Sequence, residues 1–192
     1  AKKADEATGG ALTRAVAASR FKGQAGHSIE VLAPPHLKAS RIVLAGFGKP
    51  AHFDGAAAER LAATVLGRLL VGGEETLTFA LDAQKGGKLD DAELAAHLAL
   101  GAYLRGYRFD HYRKVGDDEK PTIKKVVVVT KTLAAAKALW EGVSAVGEGV
   151  HLARDLVNEP PNVLYPEEAA KRTLALRKLG VRVEVFEIGR AH

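Results

Sequence analysis

Apolar, strand-like runs alternate with helical stretches along this chain, and that alternation constrains the fold more than any other feature. The predicted strands are Ile29–Leu32, residues 41–45, residues 76–81 and the valine-rich Lys124–Thr130. Continuous apolar runs such as those at 41–45 and 124–130 are typical of strands that are covered on both faces. The alternation predicts an α/β fold of three layers, in which helices flank a mixed sheet.

The helices between these strands are indicated by caps and apolar spacing. Residues 5–19 predict an Ala-rich helix that turns Leu12 inward. Asp54 is placed to cap a helix that runs to about Leu70, and Asp90 is placed to cap the next one.

The longest predicted element is the helix at 131–157, in which apolar residues recur at steps of three and four. It ends at Asn158, ahead of two prolines, and suits a rod that joins two domains. After it, Pro166 predicts a short helix and Val181–Ile188 alternates as a strand. We therefore expect a first domain at 1–130, a linker helix at 131–158, and a truncated second α/β unit at 159–192.

Composition excludes several classes of site. The chain has 192 residues and no cysteine, which excludes disulfides, thiol nucleophiles and zinc sites built on cysteine. No apolar run reaches the roughly 18–20 residues that a bilayer-spanning helix needs. With no basic and apolar leader before residue 1, we expect a cytoplasmic protein without a membrane partner. The net charge of +5 is spread along the chain and permits weak attraction to nucleic acid.

A glycine-containing turn follows the strand at 41–45. Gly46, Gly48 and Lys49 could place backbone N–H groups and a cation around a phosphate. The turn lacks both the dinucleotide fingerprint and the Walker spacing, and a tight turn that needs positive φ would have the same residues. Both interpretations stay open at this stage.

A second candidate is the basic, aromatic segment at 107–113. Its tyrosines and arginines could stack on bases or hold a phosphate. Alternatively, its aromatic rings pack on a sheet edge while Arg108 and Arg113 pair with carboxylates. The histidines have no metal-binding spacing, so we expect no metal ligand in this chain.

Four segments together resemble a known family. The string Arg-Asp-Leu-Val-Asn-Glu-Pro-Pro-Asn at 154–162 closely resembles the linker of the leucine aminopeptidase (cytosol aminopeptidase) family. Residues 101–113, the Lys120-Pro121 pair and residues 41–49 resemble that family's first domain. These segments occur in the right order and cover most of the chain.

The resemblance implies an N-terminal domain similar to macro domains, joined by a helix to a catalytic domain within a homohexamer. It implies a hydrolase that removes N-terminal amino acids from peptides with two divalent metals, usually zinc, manganese or magnesium. The family's metal-binding motifs, Asp-Ser-Gly-Gly and Asn-Thr-Asp-Ala-Glu-Gly-Arg, do not occur here. We therefore expect no catalytic residue in this chain. The family also normally begins with a strand ahead of the helix at 5–19, and whether this chain has that strand stays open at this stage.

Two functions follow from these observations. The first is a noncatalytic scaffold and assembly portion of a metal-dependent leucyl aminopeptidase, whose partners are its own catalytic domain, further subunits and peptide substrates. In that case Arg154, Asp155, Asn158 and Glu159 lie where the helix meets the catalytic part and fix the angle between domains. The alternative is a macro-like module that binds a nucleotide, such as ADP-ribose, or nucleic acid.

Overall fold

A computed structural model describes residues 2–81 and 87–186 as a mixed α/β structure. Helices and strands follow one another along the chain, with short 3₁₀ turns at Pro50–His52, Asp117–Glu119 and Ala175–Leu179. The main elements are α1 (Lys2–Ala7), α2 (Ala11–Ala17), β1 (Ser28–Leu32), β2 (Arg41–Ala45), α3 (Gly55–Leu69), β3 (Thr76–Ala80), α4 (Asp91–Gly106), β4 (Lys125–Val129), α5 (Leu133–Asn158) and α6 (Pro166–Leu174). No described helix is both long and apolar enough to cross a membrane.

The chain divides into two compact units, Ala1–Val150 and His151–His192, with the boundary inside α5. The proposed three-part division at residues 130 and 158 stays a prediction.

Both predicted aspartate caps are confirmed. The Asp54 side chain accepts a hydrogen bond of 3.0 Å from the Ala57 N–H at the start of α3. Asp90 begins α4 with a capping box, since its carboxylate accepts from the Glu93 N–H while the Glu93 side chain accepts from the Asp90 N–H. These bonds satisfy N–H groups that have no partner within the helix.

The single helix predicted at 5–19 is wrong, because two glycines break it. Gly9 and Gly10 have φ of 58° and 79°, in the left-handed region that ends a right-handed helix. Thr8 is fully buried at this break, and its hydroxyl donates to the Ala4 or the Asp5 carbonyl. Leu12 in the second helix is buried, as predicted.

The predicted mixed sheet consists, within the described residues, of two separate strand pairs. β1 and β2 are antiparallel and place Glu30 opposite Val43. β3 and β4 are parallel and place Thr78 opposite Val127. The two pairs share no backbone ladder in this part of the chain.

Arg41, at the start of β2, makes the side-chain link between the two pairs. Its Nε lies 2.6 Å from Glu74 Oε1, and its Nη1 lies 2.7 Å from Glu30 Oε1 on the neighbouring strand. Its Nη2 donates to the Gly72 carbonyl at 3.2 Å, just before β3 begins. One guanidinium therefore holds the β1–β2 hairpin against the turn that precedes β3.

The strands are less buried than continuous apolar runs predict. Every residue of β2 is only partly buried, and in β4 Val129 is 54% exposed. In a pair of strands each member is an edge strand, so among the described residues β4 has a neighbouring strand on one side only. Of its valines, Val128 is the one that packs on the buried core clusters.

The core is centred on the packing of α3 against α4. Ala58 and Ala62 of α3 have no exposed surface, and Leu98 of α4 is 1% exposed. A Cβ on Gly101 would lie 2.2 Å from the Glu59 carbonyl oxygen, so the two backbones approach too closely for any side chain there. The remaining buried members of the main cluster are Phe53, Val65, Leu66, Leu69, Leu70, Phe79, Leu94 and Ala102.

The apolar stripe of α5 is mostly exposed in the described chain. Ala136 and Gly147 are the buried residues of this helix, whereas Val146 is 62% exposed and Val157 is 84% exposed. Gly147 faces Tyr103, whose ring would lie 2.8 Å from an added Cβ, so this glycine marks a close contact rather than a kink.

In the second unit, Pro166 starts α6 as predicted, and Gly180, with φ of 83°, closes the turn that follows. The strand predicted at Val181–Ile188 does not form over residues 181–186, where the chain has no regular pairing. Residues 187 and 188 lie outside the described residues.

We expect Gly101→Ala to lower the free energy of unfolding by about 2–3 kcal/mol, because the added methyl group forces α3 and α4 apart. Gly142→Ala is the matched control, since nothing lies within 4 Å of its added Cβ. That control should gain up to about 1 kcal/mol of helix propensity. Urea unfolding measures both, and equal effects of the two substitutions would contradict the close approach at Gly101.

Candidate functional site

The turn after β2 is shaped by contact with the segment at residues 23–27. A Cβ on Gly46 would lie 2.1 Å from the Gln24 carbonyl oxygen, and Gly48 has a φ of 78°. The Gly46 N–H donates to the His27 carbonyl at 2.8 Å, and the Gly48 N–H donates to the Gly23 carbonyl at 2.9 Å. Both glycines therefore serve a tight pair of turns, formed by residues 23–27 and 46–48 and called here the double turn. The N–H groups of Gly46 and Gly48 already have acceptors in it.

Lys49 follows this turn with extended backbone and precedes the 3₁₀ turn at Pro50–His52. The role of Gly46, Gly48 and Lys49 in holding a ligand stays a prediction. What the structure does show beside Gly46 is a cavity.

This cavity has a volume of about 320 Å³ and lies between the double turn and α3. Its apolar wall includes Phe47, Phe53 and Leu61, and its polar wall includes His27 and Arg60. The rings of Phe47 and Phe53 are 5.2 Å apart at their centroids. Volume and mixed lining are in the range of small-molecule sites, which measure about 300–1,000 Å³.

The basic, aromatic segment at 107–113 is organised around Asp110. The Asp110 carboxylate accepts hydrogen bonds of 2.7 Å from Arg108 Nε and from Arg113 Nε. Arg113 also contacts Glu119 at 3.1 Å. The two arginines thus pair with carboxylates, which is the structural alternative for this segment.

The aromatic rings of the same segment contact one another. The Phe109 ring centroid lies 4.7 Å from that of His111 and 5.8 Å from that of Tyr112. The hydrogen bond from Arg108 is the largest cause that holds the pKa of Asp110 below its ordinary value, and the hydrogen bond from Arg113 is the second. The arrangement is a charged and aromatic cluster that closes the loop after α4.

No group of three or more metal-ligating side chains (His, Cys, Asp or Glu) comes together among residues 2–81 and 87–186. One histidine–carboxylate pair is His97 Nδ1 with Glu59 Oε1, at 2.7 Å between α4 and α3. A single pair of this kind has too few ligands for a metal centre. The described residues therefore do not fit a two-metal site.

The predicted interdomain residues lie at the end of α5, in the second unit. The Asn158 side-chain amide donates to the Arg154 carbonyl at 2.9 Å, and the Glu159 N–H donates to the Asp155 carbonyl at 3.2 Å. These bonds close the last turn of the helix. The structure thus brings Arg154, Asp155, Asn158 and Glu159 together along one helical end.

Sequence reasoning missed Arg172, which joins this group from α6. Its Nη1 lies 3.0 Å from Glu159 Oε1, and the Glu159 side chain is only 8% exposed. Its Nε lies 3.1 Å from Glu168 Oε1. The hydrogen bond from Arg172 is the main cause that lowers the pKa of Glu168. The four-residue spacing of Glu168 and Arg172 was a readable signal for this pair.

Comparison with known protein sequences identifies the family of this chain. The N-terminal domain model of the cytosol aminopeptidase family matches residues 1–115. A probable cytosol aminopeptidase of Bradyrhizobium sp. is 43% identical over 188 residues, which cover 96% of this chain and 37% of that protein. One of Afipia carboxidovorans is 41% identical over 181 residues, covering 94% of this chain and 36% of that protein.

Solved structures share the fold. The bottromycin maturation enzyme BotP, in complex with Mn, matches with a TM-score of 0.72 at 26% identity, covering 94% of this chain and 36% of that one. A tomato leucine aminopeptidase variant matches with a TM-score of 0.75 at 21% identity, covering 92% and 34%. The latter likeness shows the fold alone.

These findings define first a mixed α/β domain of the kind found in aminopeptidases. The chain belongs to the cytosol aminopeptidase family, and its residues 1–115 correspond to the N-terminal domain of that family. It spans somewhat more than a third of the length of the curated relatives that it matches.

We expect Asp110→Asn to destabilise the chain at neutral pH and to matter less in acid. The folded-state pKa of Asp110 is lowered, so its stabilising effect is fully present above the ordinary value of about 4 and is lost progressively as pH falls from there through the lower folded-state pKa. The urea midpoint of the variant should therefore lie below that of the parent at neutral pH, and the two midpoints should lie closer together at about pH 3.

Asp117→Asn is the control for that measurement, since the Asp117 side chain is 95% exposed and pairs only with an exposed lysine among its described neighbours. It should change the urea midpoint little at either pH. A constant difference between Asp110→Asn and the parent across this range would contradict the role given to the arginine pair.

Proposed function

We propose that this chain is the N-terminal, noncatalytic scaffold and assembly portion of a metal-dependent leucyl aminopeptidase that removes N-terminal amino acids from peptides. One observation carries the proposal. More than nine-tenths of the chain aligns at 41–43% identity with proteins named probable cytosol aminopeptidase, and it accounts for only 36–37% of their length. The chemistry then belongs to the remaining length.

The metal dependence is part of this proposal. The resemblance to leucine aminopeptidases implies two divalent ions, manganese, zinc or magnesium, and the solved structure of BotP is described as a complex with Mn. The described residues of this chain do not gather a metal-binding group. We therefore assign the ions to the catalytic domain, where they would activate the attacking water.

The assembly role rests on α5 and the group at its end. An exposed apolar stripe on a helix normally indicates a surface that is covered in the complete protein. Arg154, Asp155, Asn158 and Glu159 then hold the chain at the angle that the catalytic domain and a cytoplasmic homohexamer require. A macro-like, three-layer arrangement of the first domain belongs to the same proposal.

Nucleic-acid binding receives less support. A duplex-binding surface needs several unpaired cations that follow the phosphates. In the segment that most suggested such a surface, Arg108 and Arg113 are bound to Asp110.

The proposal predicts that the 192-residue chain alone does not hydrolyse a leucyl anilide in the presence of manganese. It also predicts that the chain can replace the matching segment of the Bradyrhizobium relative. That chimera should assemble and hydrolyse the anilide, whereas the relative without the segment should lose its assembly. Absorbance of the released aniline and sedimentation velocity measure the two properties.

Turnover by the isolated chain above a metal-free blank would contradict the noncatalytic assignment. A folded chimera that stays monomeric would contradict the assembly role. A relative that lacks the segment and yet assembles normally would contradict it as well.

A further prediction concerns Asp155. In the isolated chain, Asp155→Asn should change the thermal midpoint little, because the helix end keeps its backbone hydrogen bonds. In the chimera, the same substitution should shift sedimentation toward smaller species. Glu148→Gln on the same helix is the control and should leave assembly unchanged, since Glu148 is exposed. Normal assembly and activity of the Asp155→Asn chimera would count against the interdomain role.

A further inference from the structure

The cavity between the double turn and α3 has the properties of a ligand site for which the aminopeptidase assignment supplies no role. It lies wholly within the first unit, and its walls come from residues 25–28, residues 45–47, Phe53 and one face of α3. The inference below depends on this geometry and not on the proposed aminopeptidase function.

The walls of the cavity are held in place before any ligand arrives. The hydrogen bonds from Gly46 and Gly48 to the segment at 23–27 fasten its two loops together. The backbone contact of Gly46 with Gln24 leaves no room for the loops to close further. A site whose walls are already ordered loses less conformational entropy when it binds a ligand.

The ionisable side chains that line the cavity are basic. Its lining includes Arg60 and His27 and no aspartate or glutamate. Arg68 donates to the hydroxyl of Ser28, another lining residue, and so adds a second guanidinium nearby. Within the described chain no carboxylate lies at ion-pair distance from Arg60; Asp54, whose charge Arg60 stabilises through space, is bound to the Ala57 N–H. An anion is the complementary charge.

The apolar part of the lining is partly aromatic. Phe53 is 6% exposed, and its ring meets that of Phe47 at an angle of 57°. Aromatic rings favour a ligand ring in a stacked or edge-on arrangement, beyond the gain from buried area alone. A lining that combines these aromatic rings with Arg60, whose guanidinium has no carboxylate partner among the described residues, therefore selects a molecule that has both a ring and an anionic group.

We propose that this cavity binds a small organic anion with one aromatic group, the ring against Phe47 and Phe53 and the anionic group beside Arg60. Two sources have this chemistry: a nucleoside monophosphate and an aromatic carboxylate such as the end of a peptide. The volume of about 320 Å³ favours a ligand of this size over a longer polymer.

The test titrates the 192-residue chain with AMP and with N-acetylphenylalanine, and follows backbone amide shifts by NMR. Saturable binding of either anion, with shifts at Gly46 and along α3, is the expected result, and the tighter of the two identifies the source. Adenosine and N-acetylphenylalanine amide are the neutral counterparts and should bind about tenfold more weakly, the scale of one charge-assisted hydrogen bond.

Arg60→Gln should weaken binding of the anion by a similar factor of about ten, while the affinity for the neutral counterparts stays unchanged. Arg20→Gln removes the same charge at an exposed position outside the lining and should change affinity less than twofold, about the limit set by general electrostatics. Thr64→Phe, on the exposed side of α3, should fill the cavity mouth and abolish binding while circular dichroism shows a folded chain.

The proposal is overturned if neither anion gives saturable shifts, or if the neutral counterparts bind as tightly as the anions. Equal losses from Arg20→Gln and Arg60→Gln would show general attraction to a basic surface and would also overturn it. If inorganic phosphate bound as tightly as AMP, the aromatic ring would contribute nothing to binding, and the proposal would be overturned as well.

Discussion

The close packing of α3 on α4 is the constraint on which the rest of the first unit depends. Alanines and one glycine, rather than large side chains, fill the helix contact, with Ala58 and Ala62 fully buried and Gly101 against the Glu59 backbone. Small residues let two backbones approach, so leucines and phenylalanines on either side interlock at native density. The opposite face of α3 is thereby left to line the cavity beside the double turn.

Local signals were sufficient to predict most elements. Asp54 and Asp90 marked helix starts because a cap depends on residues within one turn. The break at Gly9 and Gly10 was missed because an Ala-rich pattern continues through it. Glycine can adopt the left-handed backbone conformation but does not have to, so its presence alone did not predict a break. The burial of β4 was overestimated because a run of valines shows only that a strand can be buried. Whether it is buried depends on the layers that pack against it.

The candidate sites show the same division between local and distant information. Arg108, Asp110 and Arg113 are close in sequence, so their pairing could be anticipated. Arg60 could not be associated with Gly46 from spacing alone, because a helix turn and a loop 14 residues apart meet only through the fold. The ligand role of the glycine turn stays a prediction, and the cavity beside that turn is lined in part by side chains of α3.

Arg41 has a consequence for how the first unit opens. The two strand pairs have no ladder in common among residues 2–81 and 87–186, so backbone pairing in that part of the chain does not transmit fluctuations from one pair to the other. A planar guanidinium that serves Glu30, Glu74 and the Gly72 carbonyl at once supplies a rigid coupling that a single ammonium charge could not reproduce. Together with the apolar core that both pairs share, this contact favours opening of the hairpin and the parallel pair as one unit.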